Sequence, residues 1–253
     1  MRPLTGSDIL KVWEQGEQQA AIERALTMLA PACPELTRDE LATFSVSRRD
    51  AWLFDLREST FGSQLDGFTV CGECSERLVF TLDLAPLRRR LSTPSADEEF
   101  EFETDGVAFR FRLPNSHDLA AVAVYEDVAT ARRLLAERCV LQTTRNVVER
   151  TSACAPAAEV GSTLSEAKIR CLAERIAERA PEAEAQLDFT CPSCGHYWRA
   201  FFDIATFFWA EIAAQARRLL REVHLLASAY GWREADILAM SARRREAYLE
   251  LIS

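Results

Sequence analysis

Two Cys-x-x-Cys turns, Cys71-Gly72-Glu73-Cys74 and Cys191-Pro192-Ser193-Cys194, constrain this 253-residue chain more than any other feature. They stand in matching local frames. Each cysteine of the second pair follows its counterpart by 120 residues. So do the triplets that start nine residues beyond each pair, Asp83-Leu84-Ala85 and Asp203-Ile204-Ala205. Around the first pair, Phe68, Val70, Leu78, Phe80 and Leu82 alternate, which predicts two short strands joined by a tight turn. Residues 186–202 predict the same strand–turn–strand, and Asp83 and Asp203 are placed to cap the helices that follow.

Two thiolates separated by two residues lie on one side of such a turn and can share a tetrahedral ion at about 2.3 Å. One pair is half a shell, and this chain supplies two. The expectation is therefore one structural zinc ion bound by Cys71, Cys74, Cys191 and Cys194, closing a zinc-ribbon-like unit from two distant hairpins. The 116 residues between Cys74 and Cys191 are long for a ribbon, so the pairing rests on the repeat. Gly195 suits the left-handed residue that such a knuckle needs. Three rival readings exist: a redox dithiol, a catalytic zinc, and cysteines without metal. A redox pair would need a neighbouring βαβ unit, and none is patterned here. A catalytic zinc would keep an open position, with His196 the residue that could enter the shell. Cys33, Cys139, Cys154 and Cys171 have no partner spacing and read as buried or incidental thiols.

The charge balance narrows the function classes. Thirty basic against 39 acidic side chains give a net charge of −9, which argues against a general phosphate or nucleic-acid binder. The apolar fraction of 48% suffices for a real core. No window resembles a membrane span, and the first residues lack the apolar block of a signal peptide. A cytoplasmic location follows as an expectation, and reduced thiols there favour metal over disulfides.

The remaining pattern predicts a predominantly helical α+β fold. A first helix is expected over 7–29 with Ser7 as its cap. Short helices follow after the capping boxes at Thr37–Glu40 and Ser47–Asp50, the second over 51–59. Phe100, Phe102, Val107, Phe109 and Phe111 alternate around Asp105-Gly106, the signature of an extra β-hairpin inserted between the two knuckles. A helix from Ser116 to about Arg138, a charged helix at 165–179, a long apolar helix at 204–229 and two short final helices complete the reading. The expected organisation is an N-terminal helical region (1–66), a first knuckle hairpin and helix (67–98), a hairpin-and-helix insertion (99–150), a flexible loop (151–165) and the second knuckle with the C-terminal helices (166–253). Residues 67–253 are expected to form one unit.

No Gly-rich phosphate loop, nucleophile elbow or His-Glu-x-x-His motif is present. Of three histidines, His117 reads as solvated and His224 as a core residue on the apolar face of the long helix. The acidic run through Asp97, Glu98, Glu99, Glu101, Glu103 and Asp105 reads as the wet face of a hairpin. The aromatic stretch Phe201, Phe202, Phe207, Phe208 and Trp209 reads mostly as core. Helix, Tyr230-Gly231-Trp232 break and helix, with Arg243-Arg244-Arg245, resembles a helix-turn-helix. Seven arginines against five acids over 217–253 make it a weak one.

Several of these segments together resemble a family of phage-type baseplate proteins. They are Ser47-Arg48-Arg49-Asp50-Ala51, Leu56-Arg57-Glu58, Phe61-Gly62, the first knuckle with Phe80 and Asp83, and Arg112-Leu113-Pro114-Asn115-Ser116-x-Asp118-Leu119. The resemblance is clearest at Cys191-Pro192-x-Cys194-Gly195-His196 and at Glu222-Val223-His224 through Tyr230-Gly231-Trp232 to Leu238. It spans nearly the whole chain except about 140–165. Such proteins accompany contractile phage tails and related extracellular injection systems, and are similar to baseplate hub assembly proteins. In this chain Ser75 stands where a glycine is expected after the second cysteine of the first knuckle. The resemblance implies a non-enzymatic baseplate component that contacts other baseplate or hub proteins and enters a tail-like particle, with no nucleic-acid or membrane partner. The alternative is a zinc-ribbon DNA-binding regulator.

Overall fold

A computed structural model describes residues 1–84, 99–104, 106–145, 165–179 and 186–252. It is an α+β fold, predominantly helical, and its chain divides into two units. The first comprises Met1–Leu41, Arg49–Ser92 and Ala185–Ser253, and the second Ala42–Arg48 and Thr93–Glu184.

The first unit is organised by its longest helix. In chain order its elements are α1 (Gly6–Gly16), α2 (Ala21–Leu29), the start of α3 (Arg38–Thr43), most of α4 (Val46–Phe61), β1 (Gln64–Val70) and β2 (Arg77–Asp83). After the elements of the second unit, given below, the first unit resumes with β6 (Gln186–Thr190), β7 (Tyr197–Phe201), α8 (Ile204–Tyr230), α9 (Glu234–Ala239) and α10 (Ala242–Glu250). Along α8, Ile204, Phe208, Ile212, Ala216, Leu219, Val223 and Leu226 are buried. They recur every three or four residues and so form one face. That face packs against α1 and α2, and further along against α9 and α10. Each large aliphatic or aromatic side chain so buried contributes about 1.5–3 kcal/mol. Asp203 caps the helix by accepting from the Ala205 amide at 3.0 Å, as the repeat predicts. Gly231, at φ 70°, ends it in the left-handed conformation open to glycine.

The expected single helix over 7–29 is in fact two. Thr5, not Ser7, is the cap: its hydroxyl accepts from the Asp8 amide at 3.2 Å and the Asp8 carboxylate accepts from the Thr5 amide at 2.9 Å. α1 ends at Gly16, which packs against Trp209. A Cβ on Gly16 would lie 2.5 Å from two ring atoms of Trp209, so only glycine lets α1 lie against that indole. Arg24 stacks over the same Trp209 ring, 4.8 Å from its centroid, and its guanidinium donates to the carbonyls of Gly16 and Glu17 at 2.8 and 3.0 Å. The arginine thus satisfies carbonyls that the end of α1 leaves open.

A buried ion pair ties α4 to α8. Arg57, 1% exposed, donates through Nε and Nη2 to Glu211 at 2.9 and 2.6 Å, and to the carbonyls of Gly62 and Gln64 at 2.6 Å each. One guanidinium therefore holds the end of α4, the entry to β1 and the flank of α8. The capping box at Thr37–Glu40 forms as expected, with the Thr37 amide donating to Glu40 at 2.7 Å. The next helix starts at Val46 rather than Ala51, and the oxygen facing its first turn is Ser45 Oγ, 3.3 Å from the Arg48 amide.

The second unit holds β3 (Glu99–Thr104), β4 (Val107–Arg112), α5 (Ser116–Val122), α6 (Val128–Cys139), β5 (Val140–Arg145) and α7 (Glu166–Arg179). β3 and β4 form the expected hairpin, with Gly106 at φ 68° in its turn. Asp105 lies outside the described residues. A third strand, β5, joins antiparallel to β4 and was not expected from the pattern. Phe111, Ala136, Ile169 and Leu172 form the core under this sheet, flanked by Phe100, Phe102, Val140 and Ile176. The helix expected from Ser116 to Arg138 is divided at 123–127, where Asp127 starts a new helix by accepting from the Thr130 amide at 2.9 Å. Asp118 is fully buried and accepts from Arg112 at 2.5 and 3.1 Å, from Arg138 at 2.9 Å and from the Asn115 amide at 3.0 Å. Although burial raises its pKa, those donors prevail and hold the carboxyl below its ordinary value. The expected loop at 151–165, apart from Ser165, lies outside the described residues, as do Cys154, Asp97, Glu98 and the helix expected after Asp83 beyond Leu84.

Candidate metal centre

The two knuckles share one pattern of strand pairing and tip hydrogen bonds. β1 pairs with β2 so that Val70 faces Arg77, and β6 with β7 so that Thr190 faces Tyr197. At the tip of the first hairpin the Cys71 amide donates to Glu76 O at 2.9 Å and the Ser75 amide to Cys71 O at 3.0 Å. At the second, the Cys191 amide donates to His196 O at 2.8 Å and the Gly195 amide to Cys191 O at 2.9 Å. The residue after the second cysteine is left-handed in both, Gly195 at φ 74° and Ser75 at φ 62°. Among the described residues Ser75 is the one non-glycine residue with positive φ. The same turn is therefore made without its glycine, at a conformational cost of about 1–2 kcal/mol.

Both hairpins point one face inward. Phe80 of β2 meets Phe189 of β6 with ring centroids 5.1 Å apart, and Phe189 stacks on Trp198 at 5.5 Å. Gly67 is required opposite Phe80, because a Cβ there would lie 2.6 Å from the ring. This aromatic contact holds the hairpins together away from their tips.

At the tips the four sulfurs converge. All four Sγ atoms lie within 4.8 Å of one another. Close approaches cross between hairpins, Cys71 to Cys194 at 3.7 Å and Cys74 to Cys191 at 3.5 Å. Four sulfurs around one ion at about 2.3 Å would be ~3.8 Å apart, so the spacing suits a tetrahedral shell. Among the described residues this is the one group of three or more His, Cys, Asp or Glu donors so clustered. Cys71 and Cys191 are buried, Cys74 and Cys194 exposed.

The electrostatics suit a cation. The amides of Cys74 and Glu73 donate to Cys71, and those of Cys194 and Ser193 to Cys191. Cys71 is lowered, chiefly by the Cys74 amide. At Cys191 burial acts upward, but the amides and neighbouring thiols outweigh it and bring the group down to about 7. Cys74 also receives a favourable hydrogen bond, from the Glu76 amide, yet the adjacent sulfurs of Cys191 and Cys194 push it up to about 12. Two thiols of the set are thus shifted down and two up, as the mutual repulsion of crowded sulfurs requires. A divalent cation removes that repulsion. The four residues can hold a metal ion.

His196 contributes its carbonyl to the second knuckle, while its imidazole stacks on Trp198 with centroids 5.7 Å apart. Its ring is not part of the donor cluster. Cys33 and Cys139 are buried, as read from sequence, and burial first of all raises both, Cys139 to about 12. Cys171 is partly exposed. His117 is solvent-exposed as expected, but His224 is exposed too, on the outer side of α8 rather than in its core. Of the aromatic stretch, Phe202 and Phe208 are buried, whereas Phe201 is 72% exposed.

The basic triplet of the helix-turn-helix reading is divided. Arg245 is buried and donates to Glu222 at 2.8 Å and to Met240 O at 2.7 Å, with Arg218 on the other Glu222 oxygen at 2.9 Å. Tyr230 stacks on Trp232 at 4.4 Å and both meet Tyr248, so α10 is folded back onto the end of α8. Sequence reasoning left unassigned the roles of Arg57, Asp118, Glu222 and Arg245, although the first three lie in the segments that carry the family resemblance. Buried charged residues lack the periodic signature that marks apolar ones.

An α+β chain that gathers a closed set of four thiol donors, with no histidine or carboxylate among them, has the donor chemistry of a structural metal site. A family model described as T4 bacteriophage base plate protein matches residues 1–209, and the chain belongs to that family. No curated protein and no solved structure matches it. The chain is accordingly a structural protein of the phage-baseplate kind. Among the described residues no helix is long and apolar enough to cross a membrane.

Proposed function

We propose that the protein is a non-enzymatic structural or assembly component of a contractile-tail baseplate, held together by one structural zinc ion on Cys71, Cys74, Cys191 and Cys194. Its helical surfaces contact other baseplate or hub proteins. The carrying observation is that the baseplate family match contains all four clustered cysteines. Zinc is the natural occupant of a tetrahedral all-sulfur set in a reducing compartment. When bound, it would supply the positive charge that lets all four sulfurs be thiolates. The chain's own contribution is the pair of knuckle turns, whose amides pre-organise the sulfurs before the ion arrives. Residues 99–150 are an insertion into this metal-held frame. The protein acts in the cytoplasm, where tails assemble, and in the tail-like particle.

Zinc-edge X-ray absorption on protein purified without added metal tests the site. One zinc with four sulfur neighbours at about 2.3 Å is expected. Mixed sulfur and nitrogen or oxygen neighbours would bring His196 or water into the shell, and absence of metal would overturn the zinc assignment. Co-expression with the other baseplate proteins tests the role: a chain that joins none of them is not a baseplate component.

A further inference from the structure

The outer side of α8 carries a stripe of exposed residues. Arg217, Leu220, Arg221, His224 and Leu225 are all exposed, Leu225 by 50%. Arg217, Arg221, His224 and Ser228 recur at steps of four, three and four, the spacing of one helix face. Over 210–229 the two acids are engaged elsewhere: Glu211 with Arg57, and Glu222 between Arg218 and Arg245. Arg217 and Arg221 have no ion pair or hydrogen bond among the described residues. The result is a cationic stripe with leucines beside it on a chain whose net charge is −9. Two unpaired guanidinium groups one turn apart repel each other until an anionic surface arrives. Arginine beside aliphatic surface is the composition of an interface centre rather than of a solvated face.

We propose that this face of α8 docks an acidic amphipathic helix of a neighbouring baseplate protein, a proposal that rests on the baseplate reading above. Helix-on-helix docking matches the i, i+3, i+4 spacing, with leucines packing and arginines meeting carboxylates. Two arginines beside leucines are too few to follow a phosphate backbone or to hold an anionic lipid surface, whereas they match the one or two carboxylates that a helix face presents at the same spacing. A second copy docked through this same face would set arginine against arginine.

The test is photo-crosslinking in the assembled particle. Full-length protein with benzoylphenylalanine in place of Leu225 is co-expressed with the other baseplate proteins, irradiated, and the adduct peptide sequenced by mass spectrometry. The expected adduct lies on an acidic helical segment of a different baseplate protein. Arg217→Glu combined with Arg221→Glu is expected to lower its yield at least about tenfold while the chain still binds one equivalent of metal. The milder Arg217→Gln with Arg221→Gln pair serves if charge reversal disturbs α8, and is also expected to lower the yield. Adducts on a second copy, on nucleic acid, on lipid or on a non-acidic segment overturn the proposal. So do yields that the arginine variants leave unchanged. A chain that co-purifies with the particle yet gives no adduct overturns the docking face and leaves the baseplate role standing. A chain that never joins the particle overturns both.

Discussion

At the first knuckle, Ser75 adopts a backbone conformation that its counterpart Gly195 adopts freely. Ser75→Gly should therefore stabilise the protein by about 0.5–1 kcal/mol, less than the full left-handed cost because glycine adds freedom to the unfolded chain. Gly195→Ser should destabilise by a similar amount. Urea unfolding of both variants with metal present checks the pair, and equal midpoints would remove the strain argument. Arg57 presents the opposite case, a side chain whose loss cannot be relieved. Arg57→Ala leaves Glu211 and the carbonyls of Gly62 and Gln64 without their shared donor. A loss of about 3–5 kcal/mol is expected, read as a lowered urea midpoint at unchanged slope. Acid sensitivity follows from Asp8, whose carboxyl is held down to about 2, first by Arg2, against an ordinary value of 3.8. Its folded-state pKa is depressed, so its contribution is complete above about pH 4 and is lost as pH falls toward 2. Asp118 acts in the same direction. Thermal midpoints between pH 5 and 2 should fall, and Asp8→Asn should flatten part of that slope.

Among the elements, α1 and α8 approach so closely that Gly16 lies against the Trp209 ring. Alanine is the better helix former by about 1 kcal/mol, yet the 2.5 Å contact means that the indole or the helix must move. Overpacking then decides the sign: Gly16→Ala should destabilise by about 1–3 kcal/mol and shift the tryptophan emission. A more stable variant would show that α1 does not need this approach. The break between α1 and α2 illustrates a limit of pattern reading. Apolar residues at helical spacing fall at Ile9, Leu10, Trp13, Ile22 and Leu26, and the corner falls in the polar run Glu14-Gln15-Gly16-Glu17-Gln18-Gln19 between Trp13 and Ile22. What the local sequence does not show is that Trp209, nearly two hundred residues on, occupies the space beside Gly16. The division of α5 from α6 is milder. Asp127 is a good cap, but a capping residue inside a continuous apolar pattern carries no signal until the neighbouring packing selects it. β5 was invisible for a related reason: Val140–Arg145 has little alternation, and its strand state comes from the free edge of β4.

For the whole molecule, the metal centre predicts how the two units part company. The four sulfurs join hairpins of the first unit alone, and the core of Phe111, Ala136, Ile169 and Leu172 belongs to the second. Removal of the ion with a strong chelator under reducing conditions should speed hydrogen exchange at Thr69, Val70 and Thr190 while β4 remains protected. Uniform loss of protection would mean that the two units unfold as one. The repeat of cysteines, strands and Asp203 was readable from the sequence because a knuckle is local chemistry. Its turn, its sulfur spacing and its capping residue are all specified within about a dozen neighbouring positions. The acidic charge balance and the termini of the long helix were equally local. What only the tertiary structure decided was which residues far apart would share a volume. The sulfurs of Cys74 and Cys191 meet across 116 intervening residues, Arg57 finds Glu211, and Gly16 yields to Trp209. Contacts of that kind leave no periodic trace along the chain, because they are selected by the packing of whole elements, and not by the conformational preference of any one segment.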